Sequence, residues 1–297
     1  MVNDLVDNVY VLNLQDELFK YEILKRKLDC REIKHDRFVA TSGRDCGASN
    51  LEKYLTLGKI INEFTIDGTS VNAGASFQTL LDQIICQGAG NMINGTGALR
   101  SEGAMGCVHS NIRIFQDALD NGYENILILQ DDVYFHKEFE KLLKEHEGAI
   151  KSSDIFYLGA SEHSGWVKKT KWQDPNWNYY RNRKESGEWK LKYKPHKETY
   201  GLFAVILAKK VFRPALDLLK FKFFAADQCI NLLASNIFLE TSWVAYPNLI
   251  IPDTNFSRTF DRPFSKGVRH RDSGYAINMG WNSEYYDLTE RYYEAQP

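Results

Sequence analysis

The chain has 297 residues, of which 43% are hydrophobic and 26% charged, so it is long enough to bury one large core, and no linker divides it. A formal net charge of −2 gives no general electrostatic reason to bind a nucleic acid polymer or an anionic membrane, so any phosphate recognition must be local. Five cysteines, an odd number without metal-ligand spacing, favour reduced thiols over a disulfide framework or a zinc site.

The amino-terminal segment carries no recognisable targeting signal. Residues 1–7 alternate apolar with acidic side chains and lack the basic start and apolar run of a signal peptide. No apolar stretch of the chain approaches the length that a transmembrane helix needs. We therefore expect a cytoplasmic protein without a membrane span.

The first part of the chain predicts a strand, a helix and a second strand. Residues 9–14 form a short apolar run, and apolar side chains then recur at helical spacing over residues 19–28. Residues 37–40 predict the second strand, which a turn-prone stretch closes. This order is the beginning of a βαβ unit.

The central part of the chain contains the most informative strand. Residues 103–119 place their apolar side chains on one side of a helix that Asn121 and Gly122 should end. The continuously apolar run at residues 126–129 is typical of a parallel strand that is covered on both faces. Helical spacing then returns over residues 135–143.

The second half of the chain alternates strands with helices. Strands are predicted at residues 154–159 and 202–208, and helices at residues 211–220 and 226–238. The whole pattern predicts an α/β fold with a mixed, mostly parallel central sheet that helices flank.

We predict a single domain over residues 1–297. Residues 161–200 have a different composition, because four tryptophans are interleaved with lysines, asparagines and tyrosines without a stable period, and this indicates an irregular insert. The aromatic and polar residues 253–297 are predicted to wrap around a site rather than to form an independent domain.

Two adjacent carboxylates follow the central strand, at Asp131 and Asp132. Open α/β sheets bind ligands beyond the carboxyl ends of their strands, so this position suits a site. Carboxylate oxygens are hard ligands for a divalent cation, which can neutralise charge developing on a diphosphate leaving group. The alternative is a charged strand exit whose aspartates cap a helix.

Several short motifs follow one another in a characteristic order. They are a strand ending in Asn13-Leu14, a turn from Ala40 to Gly43, the helix start Gly103-Ala104-Met105-Gly106-Cys107-Val108-His109-Ser110-Asn111, the strand end Gln130-Asp131-Asp132-Val133, Leu158-Gly159, and Tyr246-Pro247 followed by Ser257. In this order they resemble glycosyltransferase family 25, the lipooligosaccharide and procollagen galactosyltransferase group. The ordered set is far more specific than any single motif.

The resemblance implies a GT-A-like, Rossmann-related fold and an inverting hexosyltransferase that depends on a divalent metal, Mn²⁺ or Mg²⁺. Its donor would be a UDP-sugar carrying galactose or glucose. Its acceptor would be a hydroxyl of a glycan or glycoprotein, in glycan or lipopolysaccharide biosynthesis.

The chain departs from the family pattern at several positions. Asn111 stands where the family has a histidine, Lys20 where it has an arginine, and Ser42 and Gln130 where it has acids. A neutral amide at Gln130 can hydrogen-bond a ribose or a metal-bound water but adds no charge. The departures leave an alternative open, a catalytically degenerate carbohydrate-binding or scaffolding protein of the same fold.

The predicted donor and metal residues lie at strand ends, in the glycine-rich region and in the tail. The donor site is assigned to Asn13, Leu14, Ala40, Arg100, Gly103, Gln130 and Asp131. The metal ligands are predicted to be Asp132, Asp131 and His270. For Arg100 a solvated surface arginine is the alternative, and for His270 an exposed tail histidine.

The predicted catalytic and acceptor residues lie in the second half of the chain. Asp227, at the start of a predicted helix, is a candidate general base for an acceptor hydroxyl, and Asp154 is a weaker one. A helix cap for Asp227 and a structural role for Asp154 are the alternatives. The flat faces of Trp166, Trp172, Trp177 and Trp189 suit stacking on acceptor sugar rings, with core packing as the alternative.

Overall fold

The described part of the fold contains helices, strands and a few short turns of other helix types. The structure, a computed structural model, describes residues 1–43, 102–162, 192–195, 199–221, 225–253, 285–290 and 292. The helices are α1 (Leu18–Asp29), α2 (Glu102–Asp120), α3 (Phe139–Lys151), α4 (Lys209–Phe221) and α5 (Ala226–Leu232). The strands are β1 (Asn8–Asn13), β2 (Asp36–Val39), β3 (Asn125–Gln130), β4 (Val133–Phe135), β5 (Ile155–Tyr157), β6 (Ser161–Glu162), β7 (Lys192–Tyr193), β8 (Thr199–Tyr200), β9 (Ala204–Ala208), β10 (Ser242–Ala245) and β11 (Ile250–Pro252).

A seven-stranded sheet organises these elements in the order β2-β1-β3-β9-β5-β10-β7. β1 pairs in parallel with β2 and β3, and β5 pairs in parallel with β10. β9 and β7 pair antiparallel with their neighbours. Five of the seven strands therefore point the same way, which confirms the predicted mixed, mostly parallel sheet.

Both faces of the sheet are covered. Val9 and Leu127 pack in one cluster with apolar residues of α1 and α3. Tyr10 and Ile126 pack in a second cluster with residues of α2, α4 and α5. Successive strand residues point to opposite faces, so this alternation explains why residues 126–129 are apolar without interruption.

The end of α2 follows the predicted turn chemistry. Gly122 has a positive φ of 70°, and the Tyr123 amide donates to the Ala118 carbonyl at 3.0 Å. Glycine adopts this left-handed conformation without the steric cost that a Cβ brings. The predicted stop of the helix at Asn121 and Gly122 is confirmed.

The chain between β3 and α3 differs from the prediction. The spacing of Phe135 and Phe139 predicts a helix through both residues, but this prediction is wrong for Phe135. Residues 133–135 form β4, which pairs antiparallel with β11. The two phenylalanine rings still pack edge to face, with centroids 5.0 Å apart, so their contact matches the spacing without a shared helix.

The predicted helix over residues 226–238 is shorter than expected. α5 ends at Leu232, and Leu233–Ile237 continue as a π-helical turn. No helix among the residues that the structure describes is long and apolar enough to cross a membrane.

The residues described near the carboxyl terminus pack beside β4. Tyr286 bridges to His136, and the buried Tyr292 hydroxyl donates to the Val133 carbonyl at 2.6 Å. The Lys27 amine of α1 donates to the Glu290 carbonyl at 2.9 Å. These contacts fix the strand that follows Asp131 and Asp132.

Candidate active site

Three neighbouring strands, β2, β1 and β3, end at the same edge of the sheet. The Ala40 amide donates to the Asn13 carbonyl at 2.8 Å, which ties the end of β2 to the end of β1. Leu12 of β1 lies in register with Gln130 of β3. The edge therefore collects Asn13, Ala40 and Gln130, which were predicted from the sequence for the donor site, directly before Asp131.

Asp131 is a buried carboxylate that Asn13 holds. The Asn13 Nδ2 donates to Oδ2 of Asp131 at 2.5 Å. Burial raises the pKa of Asp131, while the charge of Lys20 and the hydrogen bond from Asn13 act in the opposite direction. The net direction is upward, so this carboxyl group loses its proton less readily than an exposed aspartate.

Asp132 is half-buried, and two other acids, Asp131 and Asp253, act on it electrostatically. Burial raises the pKa of Asp132, and the charges of Asp131 and Asp253 raise it further. The Asp253 amide donates to the Asp132 carbonyl at 2.6 Å, and the Tyr134 hydroxyl donates to Oδ2 of Asp253 at 2.7 Å. Asp253 is thus a third carboxylate of this edge, brought there by the pairing of β4 with β11.

A buried ion pair lies next to the aspartates. The Lys20 amine is 2.5 Å from Oε2 of Glu17, and the two side chains are only 2% and 4% exposed. The positive charge of Lys20 lowers the pKa of both Asp131 and Asp132, whereas Glu17 raises it. Four acids and two lysines, of which Lys27 lies near Asp253, leave this cluster with an excess of negative charge, which favours binding of a cation.

The chemistry of Asp131 and Asp132 fits a divalent cation. Both supply hard oxygen ligands, and a bound cation would favour their ionised forms, which burial disfavours. Within the described ranges, however, no three or more His, Cys, Asp or Glu side chains are grouped so that they could hold a metal ion. The third predicted ligand, His270, lies outside these ranges, so the metal site stays a prediction.

The glycine motif at the start of α2 packs on the turn after β2. A Cβ on Gly106 would lie 2.6 Å from the Thr41 carbonyl oxygen and 2.7 Å from the Gly43 nitrogen, so only glycine permits this approach. The Ser110 Oγ accepts a hydrogen bond from the Thr41 amide at 2.8 Å. Gly103 lies in the first turns of the same helix and is half-buried. Two separate sequence motifs therefore form one structural unit beside the strand ends.

Asp227 lies half-buried in the first turn of α5, where its Oδ1 accepts from the Gln228 amide at 2.9 Å. Burial raises the pKa of the Cys107 and Cys229 thiols, and the charge of Asp227 raises it further. Asn111 is buried one turn after Cys107 in α2, and its side-chain amide donates to the Cys107 carbonyl at 2.9 Å. The carboxylate therefore lies where α5 meets α2, and its role as a base stays a prediction.

Asp154 lies at the opposite edge of the sheet, at the amino end of β5. Its Oδ1 is 2.6 Å from the Lys210 amine, and its Oδ2 accepts from the Thr241 hydroxyl. The residue is 6% exposed. These contacts favour the structural alternative for Asp154.

Several predicted site residues lie outside the described parts of the chain. They are Arg100, His270, Trp166, Trp172, Trp177 and Trp189. Among the described residues, sequence reasoning missed the roles of Glu17, Lys20 and Asp253 in the charge cluster. A local signal existed only for the i,i+3 spacing of Glu17 and Lys20, since Asp253 arrives from a distant strand.

A comparison with protein families gives a match over most of the chain. A family model described as "Glycosyltransferase family 25 (LPS biosynthesis protein)" matches residues 6–230, which is more than half of the chain. The matched range includes the ends of β1, β2 and β3, both adjacent aspartates and Asp227. No curated protein matches the chain.

Proposed function

Because the chain belongs to glycosyltransferase family 25 and is therefore a glycosyltransferase, we propose that it moves a hexose, galactose or glucose, from a UDP-sugar to a hydroxyl of a glycan or glycoprotein acceptor. The family description names lipopolysaccharide biosynthesis, which supports a glycan acceptor. The observation that carries the proposal is the position of Asp131 and Asp132 at the edge where β1, β2 and β3 end. Ligands of open α/β sheets bind at such an edge.

The donor would bind with its diphosphate near the two aspartates. Asp132 and Asp131 would hold Mn²⁺ or Mg²⁺, and the ion would neutralise the charge developing on the departing diphosphate. Support comes from the excess of acids over bases around Asp132, which includes Asp253 and Glu17. The end of β1, at Asn13 and Leu14, and the turn after β2 would border the nucleotide.

The transfer would be a single displacement that inverts the anomeric centre. The acceptor oxygen forms a bond to the anomeric carbon, the bond from this carbon to the phosphate oxygen breaks, and uridine diphosphate leaves with the electron pair. Asp227 would take the proton of the acceptor hydroxyl. Its half-buried position at the start of α5, against the helix that carries the glycine motif, supports this assignment.

The acceptor would be bound largely by the insert at residues 161–200. This segment lies mostly outside the described residues, and its composition supports the assignment. Tryptophan faces stack on sugar rings, while the interleaved lysines, asparagines and tyrosines offer hydrogen bonds. Specificity commonly resides on such segments when a rigid scaffold carries them.

The test is a panel of nucleotide sugars offered to the purified protein with Mn²⁺, with Mg²⁺ or with a chelator. We expect a UDP-hexose to raise the melting temperature, because ligand binding stabilises the folded state, and to release uridine diphosphate only when the cation is present. Asp227→Asn should keep the thermal shift with this donor and lose transfer. Full transfer in the chelator, or release of the nucleotide only from donors other than UDP-hexoses, would contradict the proposal.

A further inference from the structure

The side chain of Asn13 makes three hydrogen bonds inside the protein. Its Oδ1 accepts from Nε of Arg37 at 2.8 Å, and its Nδ2 donates to the Glu17 carbonyl at 2.9 Å and to Oδ2 of Asp131 at 2.5 Å. Asn13 is 1% exposed. An amide nitrogen carries two hydrogens, so both donors of Asn13 are already engaged.

These partners determine which way the Asn13 amide faces. A guanidinium group only donates, whereas a backbone carbonyl and a carboxylate only accept. Turning the amide over would place its nitrogen against Arg37 and its oxygen against Asp131, and both contacts would become repulsive. The chemistry of three partners thus selects a single orientation of an otherwise ambiguous side chain.

Arg37 is itself held in place at the end of β1. In addition to its bond to Asn13, it donates from its Nη2 to the Leu14 carbonyl at 3.4 Å. Its guanidinium carbon lies 5.5 Å from the centre of the Tyr21 ring. Because Arg37 belongs to β2 and Asp131 follows β3, the chain of bonds through Asn13 crosses three adjacent strands.

We propose that Asn13 and Arg37 are positioning residues for the cation ligand Asp131. Arg37 sets the orientation of the Asn13 amide, and Asn13 fixes the Asp131 carboxylate through its Oδ2. This inference rests on the proposed function, in which Asp131 holds the ion. It differs from the role as a donor contact that the family resemblance implies for Asn13, because the hydrogen-bonding groups of this side chain are occupied within the protein.

The experiment measures Mn²⁺ binding to the purified protein without donor, from the electron paramagnetic resonance signal of free Mn²⁺. We expect Asn13→Ala to weaken binding by about tenfold, as is typical when a group that orients a metal ligand is removed. Arg37→Ala should weaken it by a smaller factor. The double variant should bind no more weakly than Asn13→Ala alone, because Arg37 acts through Asn13.

A matched control lies on the same strand. Asn8 is at the other end of β1, where its Oδ1 accepts from the Val9 amide at 2.8 Å. Asn8→Ala removes the same type of side chain from the same strand and should leave Mn²⁺ affinity unchanged. If Asn13→Ala does not fold, Arg37→Ala and Arg37→Lys decide the test. The lysine keeps a donor without the guanidinium fork, so its affinity should lie between those of the parent and Arg37→Ala.

Steady-state kinetics provide the second measurement. At saturating Mn²⁺ the donor KM of Asn13→Ala should return close to the parent value, because the defect lies in cation binding. Unchanged Mn²⁺ affinity with a raised donor KM at every Mn²⁺ concentration would overturn the inference and make Asn13 a donor contact. Independent, multiplicative losses in the double variant would also overturn it. A parent protein that binds no Mn²⁺ would instead refute the cation role of Asp131, and the positioning inference with it.

Discussion

Aspartates lie both where the parallel strands of the central sheet begin, here called the amino edge, and where they end, here called the carboxyl edge. The two sets of aspartates have different surroundings. At the amino edge, Oδ2 of Asp7 accepts from the backbone amides of Glu124 and Asn125, at 2.6 and 3.0 Å. Asp154 of the same edge lies against the Lys210 amine and the Thr241 hydroxyl. Each of these acids therefore has donors directed at its oxygens, and these contacts join the start of one strand to a neighbouring segment.

At the carboxyl edge Asp131 and Asp253 also accept hydrogen bonds, from Asn13 and Tyr134, but here several acids lie close enough to affect one another electrostatically. Burial and the charge of Asp131 raise the pKa of Asp132, and the nearby Asp253 adds to the effect. Charges arranged in this way lower the free energy of unfolding. The charges near an aspartate, more than its position next to a strand, therefore separate a structural acid from a candidate ligand.

The largest effect is expected at Asp132. Asp132→Ala should lower kcat for transfer by at least about a hundredfold, because the carboxylate proposed to bind the cation is lost. The protein should still fold, since the side chain lies at a strand exit and not in the apolar core. Transfer assays at saturating donor and Mn²⁺, with circular dichroism as the folding control, measure both. Parent-like transfer by Asp132→Ala would remove the distinction between the two edges.

The opposite result is expected at Asp154. Asp154→Ala removes the partner of Lys210 and of the Thr241 hydroxyl, so the free energy of unfolding should fall by about 1–3 kcal/mol. The kcat of the folded protein should stay near that of the parent. Urea unfolding measures the loss, and Asp120→Ala, an exposed acid bonded to Gln116, is the control with little effect. A large loss of kcat with intact stability would show that Asp154 is catalytic, and that acids at both ends of the strands serve the reaction.

Much of the fold follows from local sequence patterns. The apolar run at residues 126–129 and the helical spacing of α2 predict their elements, because hydrophobic periodicity reports burial directly. β4 is missed, since three residues are too few to show a period and the strand forms only by pairing with β11. The antiparallel direction of β9 likewise depends on its neighbours in the sheet and not on its own residues.

The residues of the candidate site likewise fall into those that the sequence predicts and those that it does not. Asp131 and Asp132 are visible because two acids follow a buried strand, and Asn13 is visible through its motif. The orientation of the Asn13 amide by Arg37 cannot be predicted from the sequence, since it depends on a contact between residues 24 positions apart. Asp253 joins the cluster from more than a hundred residues away, as its hydrogen bond with Tyr134 spans 119 positions. Such contacts exist only after the sheet has assembled.

The third prediction concerns pH. Burial raises the pKa of Asp131 and Asp132, so protons compete with a cation for these oxygens over the range from about pH 6 to about pH 8. Mn²⁺ affinity should therefore rise by about tenfold or more across this range. Titrations by paramagnetic resonance at several pH values provide the measurement. An affinity that does not change with pH would contradict the raised pKa values.

The same shifts have a consequence for stability. A carboxyl group whose pKa is higher in the folded than in the unfolded protein stabilises the fold at low pH, and this contribution is lost as the pH rises through the folded value. Without cation, the protein should thus lose stability as the pH rises from about 4, near the unfolded value, to about 8. Asp132→Asn should reduce this loss, because the neutral amide removes one charge from the cluster.

The smallest effect is expected at Gln130, the last residue of β3. The backbone amide of Gln130 donates to the Phe203 carbonyl at 3.0 Å, and the residue is half-buried. Gln130→Glu can therefore keep this backbone hydrogen bond and add one carboxylate to the carboxyl edge. The attraction between a partly solvated charge and a nearby opposite charge is worth about 0.2–1 kcal/mol. Mn²⁺ affinity near pH 8 should therefore be retained or rise by up to about fivefold. At lower pH the gain should shrink, because an additional negative charge also favours protonation of Asp131.

Gln116→Glu, which adds the same charge on an exposed face of α2, is the control and should leave the Mn²⁺ affinity unchanged. A more than tenfold loss of Mn²⁺ affinity in Gln130→Glu alone would contradict this prediction. It would mean that negative charge at the carboxyl edge does not favour cation binding.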